Sequence, residues 1–292
     1  MARGIDHLVV VVRDLDAASR FYERLGFQVG ARNRHPWGTE NRLIQLPGSF
    51  VELVTVGEGA AIPPHGPRSF SFGAFVRDHL ARREGFAMLV LDSNDAVSDA
   101  KSFANLGIGD FEPLFFERQG RCPDGSESHV AFTLSFAQDH AAPAVGFFVC
   151  QHHRPDDFWN EAFQRHPNGT VSLTAVAMAA AQPDRHRLFL EKFTEAAAQT
   201  SGSDLSFALS RGRLDVLTSD SAAAVYGSVD VDADSATLVA FNVAVADLAR
   251  RAHQLDAAEV PYQKVGSRLV VPSSAAMGVA IAFEPTSPTT LD

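Results

Sequence analysis

The residues best suited to chemistry lie near the N-terminus of the chain. His7 falls in a Val-rich run at residues 5–12, and Glu52 falls in a second apolar run at residues 50–54. If both runs are strands of one curved sheet, the imidazole and the carboxylate can meet over its concave face. A hard or borderline divalent metal prefers these two ligand types. Without a metal, the same pair could serve as acid and base.

Both residues also have ordinary structural explanations. A histidine among apolar neighbours is often a hydrogen-bonded core residue, and Glu52 would have no special role on an exposed edge strand. A buried carboxylate must be paired, hydrogen-bonded or metal-bound, or else stay neutral with a raised pKa. The pair therefore predicts a site only if His7 and Glu52 share one face of a sheet.

A second group of polar residues precedes the third expected strand. His35, Thr39, Asn41 and Arg42 could bind a polar group of a substrate, because loops beside a rigid scaffold carry such contacts. The alternative is a structural turn, in which Gly38 permits an unusual backbone conformation and Thr39 and Asn41 hydrogen-bond the backbone. The sequence leaves both explanations open.

Two neighbouring histidines, His152 and His153, end the first half of the chain. In a strand they would point to opposite faces, so at most one can reach the face of His7. His152 is the preferred third metal ligand or proton carrier, although both could be surface residues at a domain joint. Cys150 is an alternative soft ligand, but cysteines in apolar runs are usually inert core residues.

The elements that must position these residues form a repeated unit. In the first unit, residues 5–12 predict a strand, Asp14 is a helix N-cap candidate, and Gly26 stops the helix. The helix has one apolar face, because Ala18, Phe21, Tyr22 and Leu25 recur with helical spacing. Three further strands are expected near residues 27–34, 41–46 and 49–56.

The same order of elements begins again three times. Strands starting new units are expected at residues 86–91, 171–181 and 237–245, and the helix of the third unit is expected to reach about Ala198. One βαβββ unit cannot bury both faces of its sheet, so units should pair. The sequence therefore predicts an α+β fold with two curved mixed-sheet domains, at residues 1–160 and 168–292.

This combination of repeat and motifs resembles the vicinal oxygen chelate superfamily, and more narrowly its glyoxalase-like branch. The superfamily includes glyoxalase I, extradiol dioxygenases and bleomycin resistance proteins. The resemblance rests on residues 6–9, on the Gly-Thr-x-Asn element within residues 35–42, and on residues 50–53 and 151–155. The resemblance is good over about residues 4–160. Beyond these residues only the repeated order of elements matches.

The resemblance implies a ligand cavity formed by two paired units. Family members with a metal take ligands from the first and fourth strands of such units, and His7 and Glu52 match two of these positions. With His152 they would hold one divalent ion, for which Zn, Mn, Fe and Ni are all conceivable. The second unit offers no obvious ligand, and the C-terminal half offers only Asp215 and Glu284 near such positions, so the usual set is incomplete.

Three functions stay open at this point. A metal-assisted enzyme of lyase, isomerase or dioxygenase type would polarise a carbonyl or bind vicinal oxygens. A metal-free enzyme would use His7 and Glu52 as an acid–base pair. A metal-free binding protein would sequester an apolar small molecule, as resistance proteins do. In each case we expect the working site in the N-terminal half and a scaffold, lid or partner surface in the C-terminal half.

Composition narrows the list of partners. The 292 residues carry a formal charge of −10, which disfavours nucleic acid and anionic membranes as partners. The two cysteines, Cys122 and Cys150, do not suggest a disulfide framework, and together with the lack of a signal sequence they favour the cytoplasm. The 22 phenylalanines suit apolar cores and pockets. We expect a small-molecule ligand and a monomer or homodimer.

Overall fold

The computed structural model describes residues 2–121, 127–228 and 235–286. Cys122, which the sequence places in a turn, lies outside these residues. The first eight-stranded sheet is built from residues 5–152 and the second from residues 170–285. Both sheets mix parallel and antiparallel pairs, and helices pack on them, so the α+β prediction with paired βαβββ units is confirmed.

The described residues of the first half of the chain form eight strands and four α-helices. The strands are β1 (Ile5–Val11), β2 (Asn33–Arg34), β3 (Thr39–Leu46), β4 (Ser49–Val56), β5 (Gly85–Asp92), β6 (Leu114–Arg121), β7 (Glu127–Ala137) and β8 (Gly146–His152). The helices are α1 (Leu15–Arg24), α2 (Phe72–Arg82), α3 (Ala96–Leu106) and α4 (Pro155–Phe158).

The second half repeats this arrangement within its described residues. Its strands are β9 (Thr170–Ala180), β10 (Ala198–Ser201), β11 (Asp204–Ala208), β12 (Arg213–Leu217), β13 (Ala236–Val245), β14 (Gln263–Val265), β15 (Arg268–Val271) and β16 (Ala280–Pro285). Its helices are α5 (Arg187–Thr194), α6 (Ser219–Tyr226) and α7 (Leu248–Ala257), and a 3-10 turn (Pro183–His186) precedes α5.

The order of strands is the same in the two sheets. The first reads β2-β3-β4-β1-β5-β8-β7-β6, and the second reads β10-β11-β12-β9-β13-β16-β15-β14. In each, the first strand of a unit pairs in parallel with the fourth, and the two units join through an antiparallel pair of first strands. The residues of β1, β4, β5 and β8 therefore lie side by side at the centre of the first sheet.

Local sequence explains the helix boundaries. The Asp14 carboxylate accepts the backbone N–H groups of Asp16 and Ala17 and so caps α1. Asp95 and Asp247 cap α3 and α7 in the same way. Gly107 ends α3 in the left-handed conformation, which glycine adopts without a steric penalty. These caps fix where each crossover helix begins relative to the strand before it.

Several elements differ from the sequence-based expectations. The strand expected at 27–34 is regular only over Asn33–Arg34, and α5 ends at Thr194 rather than near Ala198, where β10 begins. Helices α2 and α6 were not expected. The first of them, α2, begins at Phe72 and carries Phe75.

Each sheet has two chemically different faces. In β1, Leu8 and Val10 belong to a core that includes α1 and extends into the second sheet, and we call this the outer face. Val9 and Val11 belong to a separate cluster that α2 covers, and we call this the inner face. Because strand side chains alternate, the register of β1 decides which of its residues reach the inner face.

The two halves meet through this shared outer core. At one contact a Cβ built on Gly85 would lie 2.5 Å from the carbonyl oxygen of Gly278, so the two backbones touch. Arg211 also donates to the Ile5 carbonyl at 3.1 Å and to the Asp92 carboxylate at 3.1 Å. The domain limits at 160 and 168 stay a prediction. In the described part of the chain, no helix is long and apolar enough to cross a membrane.

Candidate active site in the first sheet

A bulge in β1 places two consecutive polar residues on the inner face. Ile5 pairs with Leu91 of β5 and His7 pairs with the adjacent Val90, so β1 advances two residues where β5 advances one. Such a bulge leaves the extra residue, here Asp6, free to turn its side chain toward its neighbour. Asp6 and His7 therefore act together, although alternation along a regular strand would separate them.

Asp6 is the centre of a buried hydrogen-bond network. Its carboxylate contacts Nδ1 of His7 at 2.6 Å and Nε2 of His152 at 2.9 Å, and it accepts the thiol of Cys150. Burial raises the pKa of Asp6, but the charge and hydrogen bonds of His152, and then those of His7, outweigh burial and hold the pKa well below its usual range. Asp6 is thus a carboxylate at neutral pH.

His7 presents its other nitrogen to a cavity. Because Nδ1 faces Asp6, Nε2 is the ring nitrogen left for a ligand. The imidazole stacks on Phe50 with ring centres 4.3 Å apart and meets the edge of Phe148 at 5.4 Å. These contacts leave the ring little rotational freedom, so the position of Nε2 is defined before a ligand arrives.

Glu52 reaches the same cavity from the next strand. His7 pairs with Phe50 of β4 and Val9 pairs with Glu52, so the imidazole and the carboxylate share the inner face, two residues apart along the sheet. Glu52 accepts a hydrogen bond from the side-chain amide of Asn41 and lies 3.5 Å from Nε2 of His35. The hydrogen bonds of His7 and Glu52 go to different residues and do not join the two side chains.

His35 is a neutral member of this wall. Burial lowers its pKa to about 4, although the Glu52 charge opposes the shift. Its Nδ1 contacts the Thr39 hydroxyl at 2.8 Å and its Nε2 contacts the Asn41 amide at 3.3 Å. The Asn41 amide donates, so Nε2 accepts and Nδ1 carries the proton. His35 and Asn41 therefore support Glu52 without adding a positive charge.

A cavity open to solvent lies over this face, with about 460 Å³ of free space in the cavity and its mouth. Its walls are mostly aromatic, because six phenylalanines and Trp37 contribute to them, and its polar groups are few. The lining residues are His7, His35, Trp37, Asn41, Leu43, Phe50, Glu52, Phe72, Phe116, Arg118, Phe132, Leu134, Phe148, Cys150 and Phe158. A few polar groups in a mainly apolar concavity are typical of small-molecule sites.

The structure separates the polar residues singled out in the sequence into two groups. His7, Glu52, His35 and Asn41 line the cavity. Thr39 lies behind His35, and His152 lies behind His7, where it bonds Asp6. Arg42 is turned away from the cavity.

Arg42 and His153 have structural partners. Arg42 donates to the Gly30 carbonyl at 3.1 Å and to Asp16 at 3.1 Å. His153 bonds the Thr133 hydroxyl at 2.7 Å. Both side chains connect neighbouring elements of the scaffold.

Sequence reasoning missed two residues of the site and undervalued a third. Asp6 was noted only as part of a family motif, because its position on the inner face depends on the bulge. Arg118 has no motif around it in the sequence. Cys150 was considered mainly as core, and it does lie in an apolar cluster, but it also lines the cavity and contacts Asp6. Its alternation with Phe148 along β8 was the available signal.

One group of side chains has donor types and spacing for a metal ion. Ligand atoms of Asp6, His7 and Cys150 all lie within 4.8 Å of one another. Oxygen, nitrogen and sulfur donors together suit a borderline ion such as Zn²⁺ or Fe²⁺. Burial and the nearby Asp6 and Glu52 charges raise the pKa of the Cys150 thiol well above its usual value, so an ion would have to displace that proton.

This group shares only His7 with the ligand set expected from the sequence. Glu52 bonds Asn41 and His152 bonds Asp6 instead. In the second unit, Met88 and Phe148 face the same side as His7 and offer no oxygen or nitrogen ligand. The set of His7, Glu52 and His152 stays a prediction.

The second sheet repeats the bulge with different chemistry. Leu173 pairs with Val243 and Ala175 pairs with Asn242, so Thr174 bulges as Asp6 does and Ala175 takes the place of His7. The Thr174 hydroxyl donates to Glu284 at 2.6 Å. The second sheet therefore has no imidazole at the position that His7 occupies in the first.

Comparisons with known proteins agree with this architecture. A family model described as a glyoxalase-like domain matches residues 5–194. No curated protein matches the chain. The family match confirms the resemblance seen in residues 6–9, 35–42 and 50–53.

Three solved structures share the fold over most of their length. A hypothetical protein from Staphylococcus aureus is 13% identical, with 97% of this chain and 99% of that chain covered and a TM-score of 0.66. A mutant 4-hydroxymandelate synthase from Streptomyces coelicolor is 11% identical over 97% and 92%, with a TM-score of 0.59. An extradiol ring-cleaving dioxygenase from B. fuscum is 13% identical over 100% and 74%, with a TM-score of 0.56. At these identities the likeness concerns the fold.

Proposed function

Because the chain belongs to the glyoxalase-like domain family, within the vicinal oxygen chelate superfamily, we propose that it is an enzyme acting on a small, largely apolar molecule in the cavity of the first sheet. The proposed reaction is a proton transfer at carbon, of isomerase or lyase type, with His7 as the acid–base group. The observation that carries the proposal is the 2.6 Å contact between Asp6 and Nδ1 of His7, which leaves Nε2 toward the cavity.

The arrangement supplies what general acid–base catalysis needs. The Asp6 carboxylate fixes the tautomer of His7 with Nδ1 protonated, so Nε2 keeps a lone pair that can accept a proton. The same carboxylate would stabilise the imidazolium that forms. His152 and Cys150 contact Asp6 from the other side and hold it in place.

The proton and electrons balance within the site. Nε2 of His7 takes a proton from a carbon beside a carbonyl, and the electron pair of the C–H bond moves to the carbonyl oxygen as an enolate. The enolate then regains a proton at carbon or expels a leaving group. Glu52, on the wall formed by β4, is the second group that can carry this proton. The mainly aromatic walls offer the enolate few other polar groups.

The first test is exchange of substrate hydrogen with solvent. The protein would be incubated in D₂O with a panel of aryl alkyl ketones and 3-aryl-2-oxopropanoates, which carry a C–H bond beside the carbonyl, and C–H to C–D exchange would be followed by NMR. We expect exchange with wild type and with the control His129→Gln, because His129 pairs with Glu117 outside the cavity. His7→Gln should abolish it. Ligand binding without exchange would instead make the protein a binding or sequestering protein.

A metal-assisted version of the same function is the second candidate, and the group of Asp6, His7 and Cys150 favours it. These residues would hold the ion, and a bound divalent ion would polarise a carbonyl oxygen. Elemental analysis of protein purified without chelator tests this version. One ion per chain, together with loss of exchange in EDTA and its return with Zn²⁺ or Fe²⁺, would favour it. Exchange that EDTA leaves unchanged would favour the metal-free enzyme.

A further inference from the structure

Arg118 gives the cavity a cationic wall. It is the one Arg or Lys among the described residues that line the cavity, and it lies on β6 two positions after Phe116, which also lines it. Residues two apart on a strand face the same side. The guanidinium therefore lies beside an aromatic ring. Its strand, β6, is an edge strand of the sheet, and β4 lies in the other half of the sheet.

The charge of Arg118 is not cancelled by a direct contact in the described part of the chain. Burial lowers the pKa of Arg118 and the Glu52 charge raises it again, and an arginine stays protonated at neutral pH. Glu52 acts on it only at a distance, because the nearest partners of this carboxylate are the Asn41 amide and His35. A partly desolvated guanidinium without an ion pair favours an anionic ligand.

A second hydrogen-bond donor lies at the same wall without an acceptor. Nε1 of Trp37 is buried and has no hydrogen-bond partner among the described residues. The indole packs edge-on against Phe116 with ring centres 4.9 Å apart, so it is next to the strand that carries Arg118. A buried donor without an acceptor is costly. An acceptor group of a ligand at this wall would satisfy it.

We infer that the cavity takes an aromatic or flat apolar carboxylate, with its carboxylate group at the wall formed by Arg118 and its ring among the phenylalanines. This inference deepens the proposed function and rests on it, since it names the class of molecule that His7 would act on. The planar guanidinium can donate two parallel hydrogen bonds to a carboxylate. The rings of Phe50, Phe132 and Phe158 provide faces and edges for an aromatic ligand.

The test compares charged and neutral probes of one shape. Phenylacetate and 3-phenylpropanoate would be titrated against phenylacetamide and 3-phenylpropanamide by calorimetry, with wild type, Arg118→Gln and Arg118→Lys. The matched control is Arg165→Gln, because the Arg165 side chain is 79% exposed and pairs with Glu161 on the surface. Thermal unfolding would show that each variant is folded.

We expect wild type and the control to bind each carboxylate at least about tenfold more tightly than its amide. Arg118→Gln should remove this preference and leave amide binding within about twofold. Arg118→Lys should retain part of the preference, because lysine keeps the charge but cannot donate two parallel hydrogen bonds from one planar group.

Other outcomes overturn the inference in distinguishable ways. Amide binding without any preference for the carboxylate would refute the role of Arg118 and leave the apolar ligand of the proposed function intact. A preference that survives in Arg118→Gln would place the anion elsewhere. If none of the four probes binds, both this inference and the proposal that the cavity binds a largely apolar small molecule are refuted.

Discussion

Asp6 and His7 are neighbours in the chain and hydrogen-bond each other through Oδ2 and Nδ1 at 2.6 Å on one face of a strand. In a regular strand these side chains would point to opposite faces. The β1 bulge brings them together, and the Asp6 carboxylate then orients the imidazole through its contact with Nδ1. A positioning carboxylate and an acid–base group thus come from a single dipeptide.

The first prediction concerns Asp6→Asn. The variant keeps the shape of the side chain but cannot accept from His7, His152 and Cys150 with a full charge. We expect the rate of C–H exchange to fall by about 10²-fold or more, because His7 loses its fixed tautomer and the charge that stabilises its imidazolium. A purely structural Asp6 would leave the tautomer unchanged, so ¹⁵N NMR of the His7 ring is the second measurement.

The control for this prediction is Asp16→Asn, in a charged surface group with Arg32 and Arg42. That variant should exchange at the wild-type rate. If Asp6→Asn is folded and keeps both the wild-type rate and the same His7 tautomer, Asp6 does not position His7.

A second prediction separates charge from shape at Glu52. Glu52→Gln retains the volume and can still accept from the Asn41 amide, so its free energy of unfolding should stay within about 1 kcal/mol of wild type. Glu52→Ala opens a cavity and leaves the Asn41 donor without its partner, and should cost about 2 kcal/mol more. Urea unfolding measures both values, and both variants should lose exchange activity.

Glu117→Gln is the matched control, because Glu117 is exposed and pairs with His129. Its free energy of unfolding should stay within about 0.5 kcal/mol of wild type, and its rate of C–H exchange should be unchanged. Equal stability of Glu52→Gln and Glu52→Ala would show that the Asn41 contact contributes nothing.

The fold was predictable because its signals are local and repeated. Asp14 and Gly26 bound the first crossover helix, and the order of strand, helix and three strands occurs four times. Helix α6 was not predicted because Ala222 to Ala224 and their neighbours show no apolar stripe. The Thr218 cap and packing on β9, β12 and β16 stabilise it. The strand pairing of β10 likewise depends on β11, which no local pattern reveals.

The site was predictable only in part. His7 and Glu52 stand out as polar residues in apolar runs, and their spacing on two paired strands is enough to place them on one face. The bulge at Asp6 depends on pairing with β5, about 80 residues later, so the sequence does not reveal the Asp6–His7 contact. Arg118 has no distinctive neighbours in sequence, and its significance comes only from the cavity around it.

A third prediction tests how the two halves meet. Gly85 has a φ of +127°, and a Cβ there would lie 2.5 Å from the Gly278 carbonyl oxygen, which is backbone and cannot rotate away. Gly85→Ala should therefore destabilise the protein by about 3 kcal/mol or more. Gly107→Ala is the control, since Gly107 also has a positive φ but has open space around it. It should cost about 1 kcal/mol, and equal losses in the two variants would show that the contact between halves is not tight.

The last prediction concerns His79, a buried residue of α2 that packs against Phe75. Burial, and then the charges of Arg83 and Arg82, lower its pKa to about 3, against about 6.5 in an unfolded chain. Between these values the unfolded state binds a proton that the folded state does not. Stability is therefore complete above pH 6.5 and is lost as the pH falls toward 3.

At pH 4.5 this effect should cost wild type roughly 3 kcal/mol relative to pH 7.5. His79→Leu removes the titrating group. Between pH 7.5 and pH 4.5 its free energy of unfolding should therefore fall less than that of wild type, and the difference between the two losses should equal the contribution of His79. The lowered pKa values of His35 and His166 are common to both proteins and cancel in the comparison. Urea unfolding at the two pH values measures the difference, with His129→Gln as the exposed control. Equal acid sensitivity of wild type and His79→Leu would show that folding does not lower the pKa of His79.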